Sequence, residues 1–296
     1  NKALPYLEEH AESGKLRQED LYQVAYTQYR VGKYEDAIEN FDELKNLESA
    51  LGQNALYNLG DCHIKVGDKH SARSAFKKAS TMSFDKKIQE ESLFLYAKLS
   101  YELGFSNEAI DGLQAVKSNA PKYNEAQELL SKVFLNTKNY KQALDIIEKM
   151  PVKSIEVRKA YQQVAYFRGV QLYNEANGKA AKVMFIKSLE NSYDARIKAL
   201  ANYWIGDINY VLNDYNSSIN DFKTFLTIAK PQAQLYTDEA SVETANYNLG
   251  YNYLKKQNFT TAGKYFANAV QGFERSRIDN DFVKNSVYPD ALLRAG

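Results

Sequence analysis

The chain has 296 residues, with 38 Lys and Arg against 37 Asp and Glu. The resulting formal charge of +1 excludes the strong basic excess of a general nucleic-acid binder. Hydrophobic residues make up 44%, enough for a buried core, while 5 Pro and 14 Gly are too few for an all-β chain of many turns. The single cysteine, Cys62, excludes an intrachain disulfide and a Cys-based metal site, and no apolar run of about 18 residues offers a membrane span.

Taken in chain order, the predicted elements are helices in pairs. Residues 1–17, with Ala3 and Leu7, are expected to form the second helix of a truncated earlier pair. Ala3 precedes Ala25 by 22 residues, as Ala109 precedes Ser131. The first full unit, 18–51, places Ala25, Ala37 and Phe41 at offsets of 0, 12 and 16, and its turn reads "YRVGKYEDAIENF". The same offsets recur in six further units: 53–88 has Gly60, Ala72 and Phe76, 90–122 has Ala97, Ala109 and Leu113, and 124–154 has Ser131, Ala143 and Ile147. Then 155–195 has Gly169, Ala181 and Phe185, 196–231 has Gly206, Ser218 and Phe222, and 239–274 has Gly250, Ala262 and Phe266. Residues 287–296, with "YPDALLRAG", open an eighth first helix, so the sequence reads as a piece of a longer array. Longer connections run over 229–241 and 274–290, and Pro151 is expected to stop the helix before it. Residues 1–296 are read as one solenoid.

The rule has a steric reason. A small residue lets one helix approach another closely, and a small–large pair four apart lies on one helical face. Val24, Leu59, Tyr96, Leu130, Ile205 and Leu249 precede the small residue and add bulk, whereas Arg168 breaks that pattern. The turns carry Gly32, Gly67 and Gly104, where positive φ is cheap. Asn213 suits that role as well, and Lys138, Ala176 and Gln257 suit it less. Tyr34, Tyr140, Tyr215 and Phe259, two residues on, are expected to pack over the turns.

This pattern resembles the tetratricopeptide repeat, a helix–turn–helix of about 34 residues. The resemblance covers nearly the whole chain and implies an all-α, right-handed superhelical solenoid whose first helices line a concave surface. It also implies a non-catalytic scaffold that binds a protein or peptide. The Tyr, Asn and Lys content and the "LGD" and "IGD" segments resemble bacterial cell-envelope members, of the outer-membrane assembly lipoprotein or Tol–Pal accessory type. The expected location is thus periplasmic or outer-membrane-associated, with the cytoplasm as the alternative.

The first helices carry a periodic aromatic series. Three residues before the small position stand Tyr22, Tyr57, Phe94, Glu128, Tyr166, Tyr203 and Tyr247. Four after it stand Tyr29, Ile64, Tyr101, Leu135, Tyr173, Tyr210 and Leu254, and one after it Tyr26 and Tyr251 join the same face. Two readings stand for any one ring, packing between helices or recognition. The ladder as a whole is read as the groove for an extended peptide or partner helix, interrupted at Glu128 and Lys132. On this reading Tyr166→Ala with Tyr203→Ala weakens partner binding without loss of helix. Asp61 and Asp207 share the face, either to bind a partner's Lys or Arg or to accept hydrogen bonds from Tyr hydroxyls. Repeat modules that hold acidic chaperone tails use Lys, Arg and Asn as a carboxylate clamp. Here Glu19, Tyr22, Asn54, Tyr57, Glu91 and Phe94 stand on the matching face, and although Asn58 is present the basic partners are missing.

No catalytic constellation stands out. The histidines are His10, His63 and His70; His63 adjoins Cys62, so the two point to different parts of a helix surface and make no metal pair by themselves. There is no phosphate loop, nucleotide fingerprint or HExxH motif, so no cofactor and no metal is expected. Two rivals remain open: the recognition arm of an enzyme whose catalytic domain lies elsewhere, and an array that self-associates through uncapped ends.

Overall fold

The computed structural model describes residues 17–236, 239–276 and 280–296. Ala3, Leu7 and His10, and with them the expected earlier second helix, lie outside the described residues, as do 237–238 and 277–279 of the two long connections. Among the described residues the chain is all-α, with fifteen α-helices in tandem and no strand.

Two compact units divide them, Asn1–Thr137 and Lys138–Gly296. The first holds α1 (Gln18–Val31), α2 (Tyr34–Leu44), α3 (Ala50–Lys65), α4 (Lys69–Thr81), α5 (Lys86–Glu102), α6 (Ser106–Gln114) and α7 (Tyr123–Asn136). The second holds α8 (Tyr140–Lys149), α9 (Ile155–Asn174), α10 (Gly178–Leu189), α11 (Ala195–Val211), α12 (Tyr215–Ala229), α13 (Val242–Lys255), α14 (Phe259–Arg275) and α15 (Tyr288–Ala295). Odd-numbered helices are the first helices of the repeats and even-numbered ones the second. Within each unit, helices consecutive in sequence pack on one another.

The offset rule is a core rule. Ala25, Ala97, Ala37, Ala72, Ala109, Ala143, Ala181 and Ala262 are buried, and so are Phe41, Phe76, Leu113, Ile147, Phe185, Phe222 and Phe266. Full burial of each such large side chain contributes about 1.5–3 kcal/mol. Glycine stands at the small position where the opposing ring comes closest. A Cβ at Gly60 would lie 2.8 Å from the Phe76 ring, and one at Gly169 or Gly250 would lie 2.6 Å from Phe185 or Phe266. The α5–α6 pair reverses the arrangement. Ala97 carries a Cβ there, and Gly112 on the second helix leaves room for it, since a Cβ at Gly112 would sit 2.7 Å away. Ser218 replaces the usual alanine and spends its hydroxyl on the Gly206 carbonyl at 2.7 Å.

All seven turns carry a left-handed residue. Gly32, Gly67 and Gly104 have φ of 85°, 85° and 82°, and Lys138, Ala176, Asn213 and Gln257 have φ of 52°, 57°, 62° and 59°. The less suited residues thus adopt the same geometry. Each of these four precedes an Asn or Asp that caps the following helix: Asn139, Asn177, Asp214 and Asn258 accept from Gln142, Ala180, Ser217 and Thr261 N–H. Lys33 and Phe105, which follow Gly32 and Gly104, provide no side-chain cap.

Over the turns, Tyr34 meets Tyr29 and Tyr215 meets Tyr210, at ring separations of 6.0 and 5.7 Å. Tyr140 stacks on Phe167 at 5.4 Å. Phe259 departs from the expectation and is exposed. Helix α8 ends at Lys149, before Pro151, with Met150 already extended. In the connection after α12, a 3-10 turn over Lys230–Leu235 delivers Tyr236 edge-on to Phe225 at 5.4 Å.

Candidate functional site

The position three before the small residue turns towards the core. Tyr22, Tyr57, Tyr166, Tyr203 and Tyr247 each set an edge or a tilted face against the phenylalanine of their own hairpin, with ring centroids between 5.3 and 5.9 Å apart. Phe94, Tyr166 and Tyr203 are buried, the two tyrosines to 8% and 5% exposure. Phe94 and Tyr203 therefore contribute packing rather than open groove surface, and Tyr166 packs while also giving part of a cleft wall. Truncating a buried large aromatic to Ala costs about 3–5 kcal/mol, so the Tyr166/Tyr203 double-alanine variant removes core and cannot isolate partner binding.

Their hydroxyls reach across to the next first helix. Trp204 Nε1 donates to the Tyr166 hydroxyl at 3.3 Å. The Tyr203 hydroxyl donates to the Glu239 carbonyl at 2.8 Å and accepts from Asn248 Nδ2 at 3.3 Å. In the first unit Asn58 Nδ2 donates to the Tyr22 hydroxyl at 3.1 Å. Burial, and after it the Glu91 carboxylate, pushes the Tyr57 hydroxyl up to about 12.

The position four after the small residue also bridges repeats. Tyr29 donates to Asp61 Oδ2 and Tyr173 donates to Asp207 Oδ2, each at 2.6 Å. The structure thus uses both carboxylates to hold Tyr hydroxyls. Burial raises the pKa of Asp207, although the bond from Tyr173 opposes the rise. Tyr101 accepts from Asn136 Nδ2 at 3.1 Å. Tyr26 stacks on Tyr22 at 6.0 Å and tilts against Tyr29 at 6.1 Å. Tyr210, Tyr247 and Tyr251 are half-buried.

In the second unit this face opens into a cleft of about 620 Å³ between α9, α11 and the connection after α12. Tyr166, Phe167, Leu200, Trp204, Leu235 and Tyr236 supply apolar wall, with Gln163, Arg196 and Glu239 among the polar groups. A smaller cavity of about 230 Å³ lies between α11 and α13, lined by Asp207, Tyr210, Tyr247, Asn248 and Tyr251. The sequence reading missed Phe167 and Trp204. Both stand two before the small residue, three short of Asp207 or its counterpart Val170, and helical spacing puts that row on the same face.

It also missed a paired device seven before the small residue. Gln53 and Gln162 are fully buried and clamp the loop leading to the next repeat. Gln53 Nε2 donates to the Met82 carbonyl at 2.8 Å while its Oε1 accepts from Asp85 N–H at 2.6 Å. Gln162 Nε2 donates to the Asp194 carbonyl at 3.0 Å, and its Oε1 accepts from Tyr193 and Asp194 N–H at 3.0 and 2.7 Å. A glutamine at the same offset in three of seven units, Gln18, Gln53 and Gln162, is the signal that would have found it, although Gln18 is exposed.

The reactive side chains are spent on packing. Cys62 is buried, and burial first, then the Asp61 carboxylate, pushes its thiol up to about 12. The His63 ring lies 3.7 Å from Asp68, with burial holding its pKa down, and His70 meets the Phe105 ring edge-on at 6.5 Å. Among the described residues no group of three or more His, Cys, Asp or Glu is placed to hold a metal ion, and no helix is long and apolar enough to cross a membrane.

Residues 15–147 match the family model described as Tetratricopeptide repeat protein 21 ARM repeat. No curated protein matches the chain. Among solved structures, the C-terminal part of a TPR repeat-containing protein from Cytophaga hutchinsonii is similar at 18% identity, over 92% of this chain and 99% of that one, with a TM-score of 0.46. A tetratricopeptide repeat protein from Parabacteroides merdae is similar at 18% identity over 94% and 98%, with a TM-score of 0.37. The TPR2AB domain of yeast Sti1, solved as a complex with pHSP90, is similar at 13% identity over 94% and 98%, with a TM-score of 0.41.

Proposed function

We propose that this tetratricopeptide-type repeat protein is a non-catalytic scaffold holding an extended segment of a partner protein against its first helices. Repeat folds of this type generally mediate protein–protein interaction. The observation that carries the reading is the cleft of about 620 Å³ in the second unit, with aromatic walls and a few polar groups at hand. Aromatic side chains give large contact area with few rotors, which suits an anchor pocket for a partner side chain. Phe167 is the exposed aromatic member, at 39%, and Trp204 is the only tryptophan of the chain. A bacterial envelope setting belongs to the same proposal, supported by the Tyr, Asn and Lys content and the "LGD" and "IGD" segments.

A displayed library of extended peptides, selected on the whole chain and counter-screened on Phe167→Glu, tests it. The variant changes an exposed position, so its helical circular dichroism is expected to match wild type. The expected result is a set of segments that shift Trp204 fluorescence on titration and lose at least about tenfold in affinity with the variant. Failure to enrich any segment, or equal binding by both proteins, contradicts the reading.

A further inference from the structure

The small cavity between α11 and α13 has a chemistry of its own. Three tyrosine rings, Tyr210, Tyr247 and Tyr251, line it with Asp207 and Asn248. The Tyr247 and Tyr251 rings meet at 68° with centroids 5.0 Å apart, forming a corner rather than a flat stack. Asp207 accepts one hydrogen bond, from Tyr173 at 2.6 Å, and pairs with no cation among the described residues. A half-buried carboxylate without a counter-charge is costly, and an incoming cation removes that cost. Aromatic faces attract cations through their quadrupoles, most strongly where water is excluded.

The chain itself sets a guanidinium against one of these rings, outside the cavity lining. Arg294 on α15 lies with its guanidinium carbon 4.8 Å from the Tyr251 ring centroid. Its Nε donates to the Tyr251 hydroxyl at 2.6 Å and to Asp290 at 3.1 and 3.2 Å. Asp290 in turn accepts from the Tyr247 hydroxyl at 2.9 Å. One ring and one carboxylate are thereby engaged by Arg294, whereas Asp207 and Tyr210 line the cavity without an ion-pair partner among the described residues.

We propose that the Tyr210–Tyr247–Tyr251 cavity, with Asp207 in its wall, binds a positively charged arginine side chain of the partner segment. The inference rests on the scaffold reading above and adds its specificity: a partner whose segment carries an arginine beside the residue that fills the Trp204 cleft. Charge complementarity selects this occupant over a neutral or acidic one.

The probe is N-acetyl-arginine amide, with N-acetyl-citrulline amide as its neutral isostere, added to the whole chain carrying isotope-labelled tyrosine. Tyr210, Tyr247 and Tyr251 resonances are expected to shift saturably with the arginine probe and to stay in place with citrulline. Asp207→Asn keeps an acceptor for Tyr173 and is expected to weaken the arginine probe at least about tenfold, with helical circular dichroism unchanged. Equal response to the two probes, no response to either, or full binding by Asp207→Asn overturns the inference. The two proposals fail separately. Library segments that lack arginine and bind Asp207→Asn as well as wild type leave the scaffold standing and remove the arginine site. A saturable arginine response with no selected segment removes the scaffold reading alone.

Discussion

A hydrogen in place of a methyl at Gly169 decides how closely α9 meets α10. A Cβ there or at Gly250 would stand 2.6 Å from a phenylalanine ring, but one at Gly206 would stand 3.2 Å from Phe222. Overpacking costs about 1–3 kcal/mol, and Ala recovers about 1 kcal/mol of helix propensity over Gly. Gly169→Ala and Gly250→Ala are therefore expected to lower the urea midpoint, and Gly206→Ala to stay near wild type. Equal losses at all three positions would contradict the steric account. The small–large pairs were legible in the sequence because size alone carries them. The roles of the tyrosines were not. Tyr203 and Tyr210 are the same residue type on the same helical face, yet one is buried and the other lines a cavity. Which it is depends on a phenylalanine sixteen or more residues away and on the next helix, neither of which periodicity encodes.

At the scale of the element, the turns combine two local rules, and at Gly67 with the Asp68 cap after it both operate together. Glycine marks three of the seven, and there left-handed backbone is free of Cβ strain. Four turns hold the same geometry with Lys138, Ala176, Asn213 and Gln257, and each is followed by an Asn or Asp cap. A cap contributes about 1 kcal/mol, and left-handed backbone at a residue with a Cβ costs about 1–2 kcal/mol, so the cap offsets much of the strain. The sequence reading looked for glycine and undervalued the residue after it. Two substitutions isolate the backbone term. Ala176→Gly is expected to stabilise by roughly 0.5–1 kcal/mol, the strain released less the added freedom of the unfolded chain. Gly32→Ala is expected to destabilise by about 1 kcal/mol, because a Cβ there meets nothing within 4 Å and only the backbone is strained. Chemical denaturation reads both, and a neutral Gly32→Ala would show that this turn can relax.

At the scale of the molecule, the all-α tandem order of helices was legible throughout the described residues, because seven copies of one offset leave few alternatives. The cleft was not, because its walls come from three segments: α9, α11 and the connection that brings Leu235 and Tyr236 against Trp204. That connection differs in sequence from the other long one, 274–290, so no internal comparison foretold where its side chains would land. The central claim is that partners engage the first-helix face of the second unit. Two faces of that unit offer comparably exposed positions: Phe167 at 39% on α9, and Val183 at 49% and Ile186 at 45% on α10. The decisive measurement is site-specific photo-crosslinking in the source cells, with benzoylphenylalanine placed singly at 167, 183 and 186, and adducts sought in envelope and soluble fractions. The account predicts a protein adduct from position 167 and none from 183 or 186, with the envelope fraction as its origin. Adducts from 183 or 186 but not from 167 would contradict it and move the binding surface to the second helices.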